Sequence, residues 1–195
     1  MKSPENIVKQ GGVIAFRTDT FYGLGADPFN SAAVARIREL KGRGDDKPIL
    51  LLISDAGELD RLIVERSTQF QEIAAKFWPG PLTIIGKATR DLPEGITAGT
   101  GTVGVRLPAD ANVRDLVSAC GGTLTATSAN PAGRDPALSA EAVLSYFPEG
   151  IDLVIDGGQV TAIEPSTVVD ATVSPPRVVR EGAICANDIL TGRVS

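Results

Sequence analysis

The chain of 195 residues contains no histidine. Sites that use a histidine base, such as Ser-His-Asp or Cys-His arrangements, are therefore excluded, and a typical catalytic zinc site is disfavoured. Cysteine is scarce as well: Cys120 and Cys185 lie far apart and form no CxxC pair, which indicates free thiols in a reducing compartment. If the protein is an enzyme, we expect it to work by positioning and electrostatic contacts from Arg, Lys and hydroxyl groups, with any metal ion brought by its ligand.

Long hydrophobic runs are also missing. The longest aliphatic run, residues 49–53, is far too short to span a bilayer. The opening segment MKSPENIVKQ lacks the apolar stretch of a signal peptide. We therefore expect a cytoplasmic protein without membrane association.

Length and composition indicate an ordinary globular protein. The chain is 43% hydrophobic and 22% charged, and its length suits one domain over residues 1–195. The net charge of −5 argues against a protein whose main task is to hold a polyanion, although a local basic patch is compatible with it.

One stretch, GGVIAFRTDTFYGLGAD at residues 11–27, is typical of a buried strand that ends at a site. Its apolar part, residues 13–16, is short and bounded by turn signals. The polar cluster at 17–20 follows, and we predict that residues 22–25 form a glycine-bracketed loop in which the backbone approaches a ligand. A strand with an ordinary polar end and a glycine turn would show the same pattern.

Strand and helix patterns alternate along the rest of the chain, and some strands are paired as in hairpins. This order predicts an α/β fold with a twisted mixed sheet that is flanked by helices around an open cavity. Strands are expected at residues 13–16, 49–53, 82–85, 102–107, 123–127, 151–155, 166–170 and 177–180. Helices are expected from residue 30 or 31 to 41, at 55–64, after Ser67, after Asp110, at 139–147 and at 187–190, with a loop at 91–101.

Two matches to nucleotide-binding motifs are rejected. Residues 99–104, GTGTVG, fit GxGxxG, but they open a strand instead of following a strand and opening a helix. Residues 80–88, GPLTIIGKA, have the wrong glycine spacing for a P-loop, and Ala88 stands where a magnesium-binding hydroxyl is needed.

Polar clusters remain at the ends of the predicted strands and helices. They are Thr18-Asp19-Thr20, Lys41 with Arg43 and Lys47, Thr102 with Arg106, Ser128-Ala129-Asn130, Ser166-Thr167, and Arg180. Each has an ordinary alternative, because cations stabilise helix C-termini and Ser or Asn forms turns. Together they supply cations and hydroxyls with little that could act as a general base, which favours an anionic, nucleotide-like ligand.

Arg106 is the strongest single indication of a site. A guanidinium inside an apolar strand needs a carboxylate, a phosphate or water to satisfy its donors. A ligand role and a structural ion pair both meet that need, and we favour the ligand role.

Six segments together resemble the signature blocks of the YrdC family, the threonylcarbamoyl-AMP synthases of tRNA modification. They are GGVIAFRTDTFYGLGAD, LKGRGDDKPILLLI, FWPGPLTII, TAGTGTVGVRLP, TATSANPAG and PSTVVD, spread over about residues 11–182. The resemblance implies a single α/β domain with a positively lined cavity. It implies that L-threonine, bicarbonate and ATP, with Mg²⁺ carried on the ATP, give threonylcarbamoyl-AMP and pyrophosphate, and it implies no metal ligands from protein side chains.

The resemblance also implies roles for individual residues. It places Lys41 and Arg43 in catalysis, as the pair that faces the phosphates. The implied ATP contacts are Arg43, Lys47, Thr102, Ser128, Asn130 and Arg180. The implied threonine contacts are Thr20, Arg106, Ala126 and Ser166. The product is expected to pass to tRNA-modification partner proteins.

The chain departs from the family pattern at four places. Arg17 stands where a proline is usual, and Lys47 stands where many members have Asn. Leu52 replaces a histidine, and Asp110-Ala111 replaces His-Pro. The loss of the histidine weakens the expectation for the threonine pocket.

Two other functions stay open at this point. A carbamoyl-adenylating paralogue would keep the fold and change the acceptor, although Arg106 favours an amino-acid carboxylate. A module that binds tRNA or double-stranded RNA weakly would use the basic cavity, but the acidic net charge and the lack of an aromatic stacking platform argue against reading of RNA sequence.

Overall fold

The computed structural model describes residues 3–42, 47–161 and 164–191. In these ranges the helices are α1 (Pro4–Lys9), α2 (Ser31–Lys41), α3 (Leu59–Leu62), α4 (Thr68–Phe77), α5 (Glu94–Thr97), α6 (Ala111–Ala119), α7 (Ala140–Tyr146) and α8 (Ala186–Thr191). The strands are β1 (Ile14–Arg17), β2 (Tyr22–Gly25), β3 (Leu51–Ile53), β4 (Leu82–Lys87), β5 (Thr102–Arg106), β6 (Thr123–Thr125), β7 (Thr127–Ser128), β8 (Leu153–Ile155), β9 (Thr167–Asp170) and β10 (Arg177–Arg180). A 3₁₀ turn at Ala56–Glu58 precedes α3.

The described strands form two mixed sheets. The smaller sheet has the order β7-β2-β1-β8, and the larger has the order β10-β9-β4-β5-β3-β6. Each sheet combines antiparallel and parallel neighbours: β1 pairs antiparallel with β2 and parallel with β8, and β4 pairs antiparallel with β5 and parallel with β9. The mixed α/β fold is thus confirmed, but its strands are divided over two sheets where the sequence predicted one.

Strand β1 is buried on both faces, which explains its continuous apolar run. Ile14 and Phe16 point into a small cluster with α1 and α6, while Ala15 points into the main core. Side chains of a strand alternate between faces, so one four-residue strand contributes to two cores.

The predicted helix boundaries agree with the structure at helix ends that carry a capping residue. The Asn30 side chain accepts hydrogen bonds from the first turn of α2, and Gly42 ends that helix in the left-handed conformation, with φ of 56°. The side chains of Ser67, Asp110 and Ser139 likewise cap α4, α6 and α7. These polar groups satisfy backbone N–H groups that have no partner inside the helix.

The prediction of a loop at residues 22–25 is wrong. These residues form β2, all four are buried, and they pair along their length with β1. Gly25 serves packing here, because a Cβ at this position would lie 2.6 Å from Cε1 of Phe16. Glycine at this position lets β2 lie against the Phe16 ring on the neighbouring strand.

The predicted strand at residues 123–127 is also wrong, because the chain changes sheets within it. Strand β6 lies at the edge of the larger sheet, and β7 lies at the edge of the smaller one. Thr125 joins the two sheets at this point, since its hydroxyl donates to the Leu24 carbonyl at 3.1 Å and accepts from the Ala26 N–H at 2.9 Å. Ala126 is the residue between the two strands, and its N–H donates to the Leu50 carbonyl at 2.8 Å.

Other differences are local. Helix α1 was not predicted, although Pro4 in its first turn and Glu5 beside it are typical of a helix start. The region 91–101 contains α5 and is not all loop, and the region 55–64 is a 3₁₀ turn followed by the short α3. Strands β3 and β8 begin two residues later than predicted. Among the described residues, no helix combines the length and the apolar character needed to cross a membrane.

We predict that G25A lowers the free energy of unfolding by about 1–3 kcal/mol, because a methyl group there must displace the Phe16 ring or the Ile14 side chain. G23A on the same strand is the matched control. The Cβ that it adds would meet its nearest neighbour, the Thr127 carbonyl oxygen, at an ordinary 3.6 Å. Urea unfolding of both variants measures the difference, and equal losses would contradict the packing role of Gly25.

Candidate active site

A cavity of about 620 Å³ lies between the two sheets. Its size is in the usual range of small-molecule sites. Of the described residues, the charged ones that line it are both arginines, Arg106 and Arg180, and its lining contains no carboxylate side chain. The hydroxyl-bearing lining residues are Thr18, Thr20, Tyr22, Thr83, Thr127, Ser128 and Ser166. The cavity is therefore suited to an anion.

Arg106 is the most deeply buried charge of the cavity, with 2% of its surface exposed. Its Nε donates to the Gly80 carbonyl at 3.1 Å, its Nη1 donates to Thr20 Oγ1 at 3.2 Å, and its Nη2 forms an ion pair with Asp19. Burial lowers the pKa of Arg106, and the negative charge of Asp19 opposes that shift. The ion pair supplies the counter-charge that the sequence position required.

Thr20 lies in a turn that is stabilised by hydrogen bonds of the Thr18 side chain. The Thr18 hydroxyl donates to the Phe21 carbonyl at 2.6 Å and accepts from the Thr20 and Phe21 N–H groups, each at 3.2 Å. This side chain–backbone turn follows directly after β1, where the strand leaves the core. It directs the Thr20 hydroxyl to Arg106.

Ser166 links the second arginine to the larger sheet. Arg180 Nη2 donates to the Ser166 carbonyl at 2.8 Å and contacts Ser166 Oγ at 3.3 Å, and Thr83 Oγ1 lies 3.0 Å from Ser166 Oγ. Burial, followed by repulsion from Arg106, lowers the pKa of Arg180. An anion between the two guanidinium groups would relieve this repulsion.

Lys41 lies behind the cavity wall, at the end of α2. Its buried Nζ donates to the backbone carbonyl of Ser128, to Ser128 Oγ at 3.3 Å and to Asn130 Oδ1 at 3.0 Å. The Asn130 amide nitrogen donates to the carbonyls of Pro131 and Arg134. Asn130 thus holds Lys41 through its oxygen and the following loop through its nitrogen.

The structure brings part of the predicted set together. The predicted residues that line the cavity are Thr20, Arg106, Ala126, Ser128, Ser166 and Arg180. Lys41 and Asn130 lie behind Ser128 and are not lining residues. Thr102 bonds to Thr100 at the start of β5, and Lys47 is exposed, so neither lines the cavity. Arg43 falls outside the described residues.

Sequence reasoning assigned no role to Asp19, Thr83 or Tyr22. Asp19 was visible as the carboxylate of the Thr18-Asp19-Thr20 cluster, but its partner on β5 could not be inferred from the chain order. Thr83 is the polar residue within the otherwise apolar start of β4, but threonine is common in strands and so gives a much weaker signal than Arg106. The Tyr22 hydroxyl donates to the Gly158 carbonyl at 2.9 Å and so holds the loop after β8.

Two of the departures from the family pattern contact one another. Arg17 Nη1 lies 3.7 Å from Asp110 Oδ2, so the residues in place of a proline and a histidine form an ion pair. Leu52, in place of the other histidine, lines the cavity and gives its wall an apolar side chain.

The cysteines take no part in this site. Both are free thiols, as predicted. Burial raises the pKa of the Cys120 thiol to about 11, which keeps it protonated at neutral pH. Over residues 3–42, 47–161 and 164–191, no three Cys, Asp or Glu side chains lie close enough together to hold a metal ion.

Comparisons with known proteins point to one family. The family model for Sua5, YciO and YrdC, described as telomere recombination, matches residues 6–182. A threonylcarbamoyl-AMP synthase of Pyrococcus abyssi is 37% identical over 182 residues, which is 93% of this chain and 54% of that protein. A threonylcarbamoyl-AMP synthase of Halorhodospira halophila is 38% identical over 150 residues, which is 77% of this chain and 78% of that protein.

The fold comparison agrees. The crystal structure of P. abyssi Sua5 complexed with L-threonine superposes with a TM-score of 0.91 at 36% identity, over 96% of this chain and 55% of that one. The chain spans about half the length of the P. abyssi protein.

We predict that pyrophosphate binds in the cavity and that R180Q weakens its binding about tenfold or more, because a hydrogen bond to a charged group contributes about 1.5–3 kcal/mol. R177Q is the matched control, since Arg177 lies on the same strand but is exposed and pairs with Asp170. Calorimetric titration of both variants at fixed ionic strength measures the effect. Equal weakening in the two variants would contradict binding at Arg180.

Proposed function

Because the chain belongs to the Sua5/YciO/YrdC family, we propose that it converts L-threonine, bicarbonate and ATP to threonylcarbamoyl-AMP and pyrophosphate. The observation that carries the proposal is the cavity itself, whose described lining residues include two arginines and a set of hydroxyls and no carboxylate. Two of the substrates would contact the protein through negatively charged groups at neutral pH: L-threonine through its carboxylate and ATP through its phosphates.

The amino-acid end of the site is proposed at Arg106. Its five N–H groups have three protein partners, which leaves one N–H on Nη1 and one on Nη2. Because Nη2 is buried, the remaining N–H of Nη1 would be the donor to a carboxylate. The hydroxyls of Thr20 and Ser166 and the backbone of Ala126 line the same cavity and would surround the rest of the amino acid. The structure of P. abyssi Sua5 complexed with L-threonine supports a threonine site in this fold.

The nucleotide end is proposed at Ser128 and Arg180, with Lys41 behind Ser128. Arg180 would contact phosphate oxygens directly, while the Lys41 ammonium adds positive charge at the wall. The proposed ATP contacts of Arg43, Lys47, Thr102 and Asn130 rest on the family pattern. A magnesium ion carried on ATP would neutralise part of the phosphate charge.

The chemistry requires little from protein side chains beyond alignment and charge. Bicarbonate yields carbon dioxide and hydroxide, and the neutral threonine amine adds to the carbon dioxide to form a carbamate. The proton that the nitrogen loses combines with the hydroxide to give water. A carbamate oxygen then attacks the α-phosphorus, and the bond to the leaving pyrophosphate breaks. Because a carbamate is already an anionic nucleophile, no histidine base is needed, and positioning with charge neutralisation carries the catalysis.

The product has a mixed anhydride between a carbamate and a phosphate, so it must be consumed soon after its release. We propose that partner proteins in the cytoplasm transfer its threonylcarbamoyl group to adenosine in tRNA. Residues 1–195 would act as one catalytic domain in this role. Weak contact with tRNA would be electrostatic and would fall steeply with salt.

Pyrophosphate release tests the reaction directly. We expect release from ATP only when L-threonine and bicarbonate are both present. Release that is independent of threonine would overturn the proposal and favour a carbamoyl-adenylating enzyme with another acceptor. Absence of turnover together with salt-dependent tRNA binding would favour the RNA-binding function.

We further predict that R106K raises KM for L-threonine about tenfold or more while KM for ATP stays unchanged, because lysine lacks the planar fork that holds a carboxylate. R36K is the matched control. Like Arg106, Arg36 pairs with one aspartate and donates to the backbone, but it is not among the residues that line the cavity. Steady-state kinetics measure both constants, and an equal rise in the two KM values for R106K would contradict the assignment.

A further inference from the structure

We propose that Asp19 is a positioning residue that fixes the Arg106 guanidinium for the carboxylate of the amino-acid substrate. The inference rests on the proposed function, since it takes L-threonine as the ligand of Arg106. Asp19 itself would not touch the substrate, because it is not among the residues that line the cavity.

The Asp19 carboxylate joins two points of one short segment. One oxygen forms the ion pair with Arg106, the last residue of β5, and the other accepts a hydrogen bond from the Ala109 N–H at 3.3 Å. Arg106 and Ala109 are three residues apart in the chain. Asp19 therefore holds the guanidinium against the backbone that follows its own strand.

Each nitrogen of Arg106 has a separate partner. Nε is held by the Gly80 carbonyl, Nη1 by Thr20 and Nη2 by Asp19. Apart from this ion pair, Nη2 has no hydrogen-bond partner among the described residues. Removal of Asp19 would leave the Nη2 end of the fork unrestrained, while the Nε end stayed in place.

Position also decides whether Asp19 would compete with the substrate. Arg106 lines the cavity and Asp19 does not, so Asp19 contacts the guanidinium from outside the cavity lining. The substrate and Asp19 would then contact different N–H groups. Because the fork is already oriented before the substrate arrives, binding loses less conformational freedom.

Asp19 also compensates the buried positive charge of Arg106. Arg106 is almost fully buried, and an unpaired buried charge is strongly unfavourable. Asp19 supplies the counter-charge of Arg106 from outside the lining, so the described lining residues keep the positive charge of Arg180 and include no carboxylate. The site is thereby stable without ligand and still attracts an anion.

A second contact joins the same two segments. The Arg17–Asp110 ion pair links the residue at the end of β1 to the cap of α6, next to the Asp19–Ala109 hydrogen bond. Since the Arg17 side chain is 36% exposed, its contribution is small compared with the buried pair. The main restraint on Arg106 from this side is therefore Asp19.

Calorimetric titration of L-threonine and, separately, of ATP tests the inference in the full chain. We expect D19N to weaken L-threonine binding about tenfold or more and to leave ATP binding unchanged, because a small displacement of a binding group has a large effect. D152N is the matched control: Asp152 also pairs with an arginine, Arg36, and accepts a backbone N–H, that of Val13, but it lies outside the cavity lining. D152N should bind both ligands as the wild type does.

The outcomes separate the two proposals. If the wild type binds L-threonine and D19N binds it equally well or more tightly, the positioning role is wrong. If D19N loses L-threonine and ATP binding together, Asp19 supports the fold and not the guanidinium. If the wild type does not bind L-threonine at all, the proposed function fails and this inference fails with it.

A second variant covers the case in which D19N does not fold. D19E keeps the charge and lengthens the side chain by one methylene, which shifts the carboxylate relative to Arg106. The positioning role predicts weaker L-threonine binding with ATP binding intact, whereas a role for the charge alone predicts no change.

Discussion

The structure of this site depends on one buried charge. Arg106 lies at the end of a strand in the larger sheet, and its partners come from the turn after β1 and from the Gly80 carbonyl. A guanidinium with 2% exposure is stabilised by these partners, because a buried charge without partners is strongly unfavourable. The turn after β1 and the end of β5 are therefore stabilised together. A shift of either segment would separate Arg106 from Asp19 and Thr20.

The sequence predicted the elements that carry local signals. The caps at Asn30, Ser67 and Asp110 were readable because each satisfies backbone groups within its own helix turn. Arg106 was readable because a charge in an apolar strand has few explanations. The residues Thr20, Arg106, Ala126, Ser128, Ser166 and Arg180 were grouped by resemblance to the family, and the structure places them around one cavity.

What the sequence could not predict depends on contacts between distant segments. Residues 22–25 were read as a loop because glycines usually mark turns, but the reason for Gly25 is a ring on the adjacent strand. Residues 123–127 were read as one strand because the apolar and threonine pattern continues without a break across Ala126. Asp19 is next to Thr20 in the sequence, but its contacts with Arg106 and Ala109 are visible only in the folded structure.

At Ala126 the chain passes from the larger sheet to the smaller one, and this connection limits which parts of the site can vary. One continuous piece of backbone, β6 to β7, belongs to both walls of the cavity, and Thr125 ties it to the smaller sheet by two hydrogen bonds. The two walls are thus joined directly through the main chain at this point. A substitution at a lining position such as Leu52 alters the chemistry of the wall without removing this main-chain connection.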